Sequence, residues 1–151
     1  PIGTASVVKS VFYKQVKTLH LDITARQALN TDGQENTSLS EPLMVRIYQL
    51  KDRKSFDKTV YQQLLTQGDD APGADLLASR SVVVKPGEDV SLDIPLDDKA
   101  QFVAVVALFR APEMAKNSWK RVLSRDELDP DRPRVIEAEQ NRLILQPLKD
   151  D

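Results

Sequence analysis

The sequence predicts a mainly β fold, an antiparallel two-sheet β-sandwich with a small helical insertion after the second strand. About seven short segments carry strand patterns between turn residues, and a helical pattern occurs only near residues 55–67. Regular strand–helix alternation and internal repeats are absent from the sequence, which argues against a doubly wound α/β fold. The length of 151 residues corresponds to one domain with a single core.

The first two strands have the clearest patterns. The first is expected to start near Lys14, and apolar and polar side chains alternate over residues 19–25. The second covers residues 43–50 and also has an apolar face. The apolar residues that are expected to point inward are Leu19, Leu21, Ile23, Ala25, Leu43, Val45 and Ile47. The 11-residue connection over residues 30–40 is long for a hairpin, and long loops on rigid sheets often carry function.

The insertion follows the second strand. Residues 55–67 are predicted to form one helix that ends at Gly68, because apolar residues recur at helical spacings. The apolar positions are Phe56, Val60, Tyr61, Leu64 and Leu65. A loop at residues 71–73 and a short turn at residues 74–78 complete an insertion over about residues 55–78.

The remaining strands are predicted from short apolar or alternating segments: residues 81–85, 90–96, 101–110, 119–123 and 135–147. Pro86-Gly87 predicts a turn, and Pro95 places the strand over 90–96 at a sheet edge. The most apolar segment, residues 101–110, is the candidate central strand, buried on both faces. The domain assignment is residues 1–13 as an N-terminal tether or engineered residues and residues 14–151 as one β-sandwich domain.

Composition excludes several function classes. The chain has no cysteine, which removes disulfides, thiolate metal sites and thiol nucleophiles, and it has one histidine. The net charge of −2 gives no bulk attraction for nucleic acid. The sequence contains no apolar run of 18 residues and no intact signal peptide, although a removed signal peptide is compatible with it. Cysteine absence fits a cytosolic or a periplasmic protein equally well.

The residues that could carry chemistry do not assemble into a catalytic site. His20 and Asp22 share one strand face, but no Gly-x-Ser-x-Gly motif accompanies them, so a surface histidine is the favoured interpretation. The carboxylates in residues 32–36 and 68–70 lack calcium-loop spacing and are interpreted as turn residues. Basic residues surround Trp119, which favours a solvated strand face around one buried tryptophan: Lys116, Lys120, Arg121 and Arg125. We therefore expect no enzyme activity, no cofactor, no metal and no nucleic-acid partner.

An ordered set of motifs resembles the TssJ lipoproteins of type VI secretion systems. The front half contains Asn30-x-Asp32, Pro42-Leu-Met-Val-Arg-Ile-Tyr-Gln-Leu-Lys51, Phe56 and Tyr61-x-x-Leu-Leu65. The back half contains Pro86-Gly87, Val105-Val-Ala-x-Phe-Arg110 and Trp119-Lys120 in the same order and spacing. The similarity extends over roughly residues 19–148.

This resemblance implies a transthyretin-like β-sandwich at the periplasmic face of the outer membrane. TssJ proteins are lipoproteins that bind the periplasmic C-terminal domain of the inner-membrane protein TssM, and TssL joins the same trans-envelope complex. The acylated cysteine of the family is absent from this chain, so the expected outer-membrane anchor is missing here. The isolated domain is expected to be a monomer, because strand alternation leaves no large apolar face exposed.

The resemblance also implies a binding site, since in the family the loop between the first two strands is the main contact with TssM. The corresponding residues here are Asn30, Thr31, Asp32, Gly33, Gln34, Glu35, Asn36, Thr37 and Ser38. They are rich in hydrogen-bonding groups, with Leu39 as the single large apolar neighbour, which predicts a small polar interface. The alternative function is a periplasmic carrier or carbohydrate-binding module, which would need a concave pocket lined by aromatic side chains.

Overall fold

The computed structural model describes residues 16–31, 40–67 and 73–147. Within these ranges the chain forms eight strands and two short α-helices, with 3₁₀ turns at Gly73–Asp75 and Arg125–Glu127. The strands are β1 (Thr18–Leu29), β2 (Leu43–Leu50), β3 (Leu76–Val84), β4 (Asp89–Pro95), β5 (Phe102–Ala107), β6 (Lys120–Ser124), β7 (Arg134–Gln140) and β8 (Arg142–Leu145). The helices are α1 (Lys54–Asp57) and α2 (Tyr61–Gln67).

The strands form two four-stranded sheets, which confirms the predicted β-sandwich. Sheet A has the order β4-β1-β7-β8, and sheet B has the order β3-β2-β5-β6. Pairing is antiparallel throughout the described strands except between β1 and β7, which are parallel. β4 lies at an edge of sheet A, as Pro95 predicts, because a proline cannot donate a ladder hydrogen bond to a further strand.

The core lies between the sheets. The predicted inward residues of β1 and β2 are all buried, with exposed fractions between 0% and 4%. β5 is buried on both faces, as its continuous apolar sequence predicts. It lies between β2 and β6 within sheet B, and the insertion packs on the outer face of that sheet. Burial of this apolar surface is the main stabilising contribution to the fold.

The insertion differs from the single helix that the sequence predicts. It forms α1 and α2, and the break falls at residues 58–60. The Thr59 amide bonds to the Phe56 carbonyl at 2.9 Å, and the Thr59 hydroxyl bonds to the Ser55 carbonyl at 2.8 Å. The Val60 amide donates to the Gln63 side chain at 3.0 Å, which starts the second helix. Two adjacent β-branched residues with low helix propensity explain the interruption.

An aromatic cluster fixes the insertion to sheet B. The Tyr61 ring lies edge-on to Trp119 with centroids 5.0 Å apart, and Phe56 lies 6.2 Å from Tyr48. The Lys120 ammonium lies 5.3 Å from the Phe56 centroid and 5.2 Å from the Trp119 centroid, and burial there lowers the pKa of Lys120. Phe56, Tyr61 and Leu64 are buried, whereas Val60 and Leu65 are 57% and 45% exposed. The five apolar positions therefore do not share one buried face, because the break changes the helical phase.

Strand boundaries also differ from the sequence prediction, and β5 ends at Ala107, three residues before the predicted end at Arg110. β1 begins at Thr18 rather than near Lys14, and β3 begins at Leu76, five residues earlier than predicted. Residues 135–147 form a hairpin of β7 and β8 instead of one strand, because the chain turns at Gln140, where φ is +52°. The predicted turn at Pro86-Gly87 is confirmed, with φ of +78° at Gly87. None of the helices in the described ranges is long and apolar enough to span a membrane.

The buried phenol of Tyr61 predicts a loss of stability at high pH. Its hydroxyl donates to the Phe109 carbonyl, and burial raises the pKa of Tyr61 from 10.0 to about 12. The native state therefore retains this proton while the unfolded chain releases it, so this stabilisation is complete below pH 10 and is lost between pH 10 and about 12. Urea unfolding measures the free energy of unfolding. Between pH 10 and about 12 this free energy should fall by about 2–3 kcal/mol more in the native sequence than in Tyr61→Phe. Equal pH dependence in both proteins would contradict this assignment.

Candidate functional site

The candidate site is the end of the sandwich where β1 ends at Leu29 and β2 begins at Leu43. Of the nine predicted contact residues, the structure describes Asn30 and Thr31. The other seven lie outside the described residues: Asp32, Gly33, Gln34, Glu35, Asn36, Thr37 and Ser38. The described part of the site is therefore the base of the connection, where the chain leaves one sheet and enters the other.

Asn30 is built into this base rather than presented to solvent. It is 6% exposed and has φ of +52°, a left-handed conformation that asparagine tolerates better than most residues. Its side-chain amide donates to the Pro42 carbonyl at 3.0 Å, and its side-chain oxygen accepts from the Arg110 amide at 2.9 Å. Its own amide donates to the Gln140 carbonyl at 2.6 Å. One residue thus connects the ends of β1, β2, β5 and β7.

Arg110, which follows β5 of sheet B, binds Asn30 at the base of the connection. Its Nε donates to the Asn30 carbonyl at 2.8 Å, so backbone and side chain of Arg110 both bind Asn30. Its guanidinium also lies 3.4 Å from the Glu41 carboxylate, but these side chains are 36% and 52% exposed. Water screens an ion pair at such exposure, so the contribution comes mainly from the hydrogen bonds to Asn30.

Ser40 closes the other side of the base. Its hydroxyl accepts from the Leu29 amide at 3.1 Å and donates to the Gln27 carbonyl at 2.6 Å. The Glu41 amide donates to the Leu29 carbonyl at 3.0 Å. We refer to the group comprising Asn30, Ser40, Glu41, Pro42 and Arg110 as the loop clamp. The clamp holds both ends of the intervening segment in fixed positions.

Two other candidates from the sequence have structural roles. His20 Nδ1 lies 2.6 Å from the Asp93 carboxylate on the neighbouring strand, so its partner is Asp93 and not Asp22. Trp119 is 2% exposed, which confirms the interpretation of a buried tryptophan. Arg121 donates to the Leu143 carbonyl, and Arg125 donates to carbonyls of Val16, Asp97 and Ala100. These arginines therefore connect strands and turns and do not form a free basic patch.

The acidic segments over residues 32–36 and 68–70, interpreted as turns, lie outside the described residues. Within the described ranges, no group of three or more histidine and carboxylate side chains is arranged to hold a metal ion. The clamp role of Asn30 and Arg110 is the feature that sequence reasoning misses. A usable signal exists for Asn30, since an asparagine between a strand and a turn often adopts positive φ.

The fold and the clamped connection define a class of protein: a β-sandwich that holds an inter-strand loop at one end as its candidate binding element. The chain belongs to the type VI secretion lipoprotein family T6SS-SciN, described as "Type VI secretion lipoprotein, VasD, EvfM, TssJ", whose model matches residues 17–144. The resemblance to TssJ is thereby confirmed. Members are outer-membrane lipoproteins that face the periplasm, and the family is structural rather than one of known enzymes.

Solved structures agree with this assignment. A chain of "T6SS protein TssM C-terminal domain (869-1107) from EAEC" is 47% identical over 88% of this chain and 100% of that chain, with a TM-score of 0.78. A chain of "Type VI membrane complex" is 48% identical with the same coverage and a TM-score of 0.81. The lipoprotein TssJ1 from Pseudomonas aeruginosa is 21% identical over 89% of this chain and 99% of that chain, has a TM-score of 0.69 and shows the fold alone. No curated protein sequence matches this chain.

Proposed function

We propose that this chain is the periplasmic docking domain of an outer-membrane lipoprotein and that it binds the periplasmic C-terminal domain of TssM. The observation that carries the proposal is the 47% identity to a chain found in the structure of the TssM C-terminal domain. That chain is fully covered by about 133 residues of this one, whereas the named TssM range of 869-1107 is about 239 residues long. We infer that the matched chain is a separate component solved together with TssM.

The loop clamp supports docking through the connection between β1 and β2. The contacts with TssM are assigned to residues 31–38, and Asn30 acts by holding the base of this segment. Residues 31–38 contain polar residues and one glycine but no large apolar side chain, so the proposed interface is polar and of modest area. Two exposed apolar side chains lie beside the clamp: Met44 and Val83, 40% and 50% exposed, are cross-strand neighbours at the same end of sheet B. In this proposal, Met44 and Val83 add apolar contact area beside the polar segment.

The remaining assignments follow from the same role. The chain acts as a structural component without catalysis, TssL joins it indirectly through the membrane complex, and an N-terminal lipid attaches it to the outer membrane. The isolated domain is a monomer in this account. Large apolar side chains that are exposed within the described residues are few, and Met44 and Val83 are the cross-strand pair among them: Met44, Val60, Leu65, Val83 and Met114.

The carbohydrate-binding alternative has less support. A shallow cavity of about 210 Å³ lies between the edges of the two sheets, and aliphatic and polar residues line it: Ile47, Gln49, Ala78, Ser79, Arg80, Ile94 and Pro95. Sugar-binding pockets generally stack the ligand on aromatic side chains, and this cavity has none. The described part of the chain therefore favours a protein partner.

Calorimetric titration of this chain with the cognate TssM C-terminal domain tests the proposal. We expect one-to-one binding with a Kd of about 1 μM or tighter, because the interface is small but its base is held in place. A TssM domain from a distant secretion system serves as the control and should bind at least about tenfold more weakly. Absence of heat with the cognate domain at concentrations near 100 μM would contradict the proposed function.

A further inference from the structure

β3 is an edge strand that the described part of the sandwich leaves open. It pairs with β2 alone and forms one border of sheet B. The four consecutive residues from Ala78 to Ser81 are exposed, although successive side chains of a strand point to opposite faces. Both faces of β3 are therefore accessible over this stretch, and the outward backbone N–H and C=O groups of the strand have no neighbouring strand among the described residues.

The two lateral borders of the sandwich differ. At the border formed by β6 and β8, the Leu143 amide donates to the Ser118 carbonyl at 2.7 Å, and Arg121 donates twice to the Leu143 carbonyl at 3.1 and 2.8 Å. At the border formed by β3 and β4, no hydrogen bond joins the two strands within the described ranges. The cavity of about 210 Å³ lies here, and at one end of it the Gln49 side chain binds the Pro95 carbonyl at 3.0 Å.

Natural edge strands are usually protected against strand addition by charges, prolines, bulges or short length. β3 has nine residues, contains no proline and carries one charged side chain, Arg80. Its register irregularity lies at its start, opposite Gln49 and Leu50, and leaves the remainder regular. The segment Val82–Val84 is β-branched, which favours extended backbone. β3 is therefore a regular, unprotected template for another strand.

The side chains along the cavity indicate the chemistry of the occupant. Among the described residues, Arg80 is the only charged one that lines the cavity, and it forms no hydrogen bond or ion pair with the others. The aliphatic part of the lining, Ile47, Ala78 and Ile94, suits a small apolar side chain. A second copy fits poorly, because antiparallel pairing over the full length of β3 would place Arg80 opposite Arg80, and directly opposed like charges are destabilising.

We propose that β3 is a strand-addition site for an extended acidic segment of another polypeptide. A carboxylate of that segment pairs with Arg80, and an adjacent small apolar side chain enters the cavity beside Ile47 and Ile94. Main-chain hydrogen bonds to β3 supply affinity, and the cavity supplies selectivity. The cavity and Arg80 lie on the lateral border of the sandwich, whereas the loop clamp lies at one end, and the two proposed surfaces have only Val83, at the clamp end of β3, in common.

The test uses the full chain and a capped peptide, acetyl-Thr-Val-Thr-Asp-Thr-Val-Thr-amide, which places Val, Asp and Val on one face. The control peptide has Lys in place of Asp. Amide resonances of this chain are followed by NMR to about 5 mM peptide, where a Kd near 1 mM is detectable. We expect shifts confined to β3 and the cavity residues, with about tenfold preference for the Asp peptide. Arg80→Glu should reverse this preference, and the matched control Lys85→Glu, exposed just beyond β3, should keep it.

Every other outcome overturns the proposal. Equal binding of the two peptides, shifts elsewhere on the sandwich or no shifts at all would exclude an acidic strand at β3. Shifts of β3 amides that depend on protein concentration without peptide would assign the edge to a second copy. Slow hydrogen exchange of the outward β3 amides without peptide, lost when residues 1–13 are removed, would assign the β3 edge to the N-terminal segment of this chain. None of these outcomes alters the TssM titration, so the two hypotheses fail separately.

Discussion

Replacement of residues 31–38 by a Gly/Ser linker of equal length is expected to weaken binding of the TssM C-terminal domain by about hundredfold or more. These residues supply the polar groups assigned to the interface, and the linker supplies none. The melting temperature should change by less than about 2 °C, because the replacement retains Asn30, Ser40, Glu41, Pro42 and Arg110, whose hydrogen bonds form the loop clamp. Calorimetry measures the affinity, and a thermal melt measures the stability.

A matched control changes the opposite end of the sandwich. Asp98 and Lys99 are exposed in the turn between β4 and β5, and the double substitution Asp98→Ser with Lys99→Ser should leave the affinity within about twofold. Unchanged affinity of the loop variant would contradict the assignment of residues 31–38 and move the TssM site elsewhere. A folded loop variant that loses binding while the control retains it would establish the site.

Asn30→Ala is expected to lower the free energy of unfolding by about 3 kcal/mol. The substitution leaves the Arg110 amide and the Pro42 carbonyl without their hydrogen-bond partner in a largely buried position. It also places alanine at φ of +52°, a left-handed conformation that asparagine tolerates better than alanine does. Affinity for TssM should fall about tenfold in addition, because a released base raises the entropic cost of ordering the loop. Urea unfolding and calorimetry measure the two effects.

Asn117 provides the control for Asn30→Ala. It has the same φ of +52° but is exposed, and its side chain accepts one bond of 3.3 Å from Trp119. Asn117→Ala should therefore cost about 1 kcal/mol, mostly from the backbone conformation, and should leave TssM affinity unchanged. A further variant, Asn30→Gly, restores the backbone preference without the side-chain bonds and isolates their contribution. Equal losses for Asn30→Ala and Asn117→Ala would contradict the clamp.

The sandwich could be predicted where the hydrophobic pattern has one interpretation. β2 occupies the predicted residues 43–50, and β5 is the predicted buried strand, because a period of two and a continuous apolar run specify these elements locally. The break between α1 and α2 and the turn at Gln140 depend on weaker information. The break arises at the adjacent β-branched residues Thr59 and Val60, and the turn arises at Gln140, whereas the apolar pattern continues across both interruptions.

The connection between β1 and β2 could be predicted from the sequence, whereas the hydrogen bonds at its base could not. The length and polarity of residues 30–40 indicate a functional loop, and the sequence places Asn30 among its contact residues. The hydrogen bonds of Asn30 join it to Arg110, 80 residues away in sequence. Such a pairing follows from the meeting of two sheets and has no periodic signal along the chain. Sequence therefore identifies the loop, and the structure distinguishes the residues that hold it.

Site-specific photocrosslinking tests the central claim, docking of TssM at the clamped end, most directly. Glu35→benzoylphenylalanine places the probe in the loop, and Ser91→benzoylphenylalanine places it at an exposed position of β4 as a control. In a mixture with the cognate TssM C-terminal domain, irradiation should give a one-to-one covalent adduct from position 35 and none from position 91. An adduct from position 91 with none from position 35 would contradict docking through the loop.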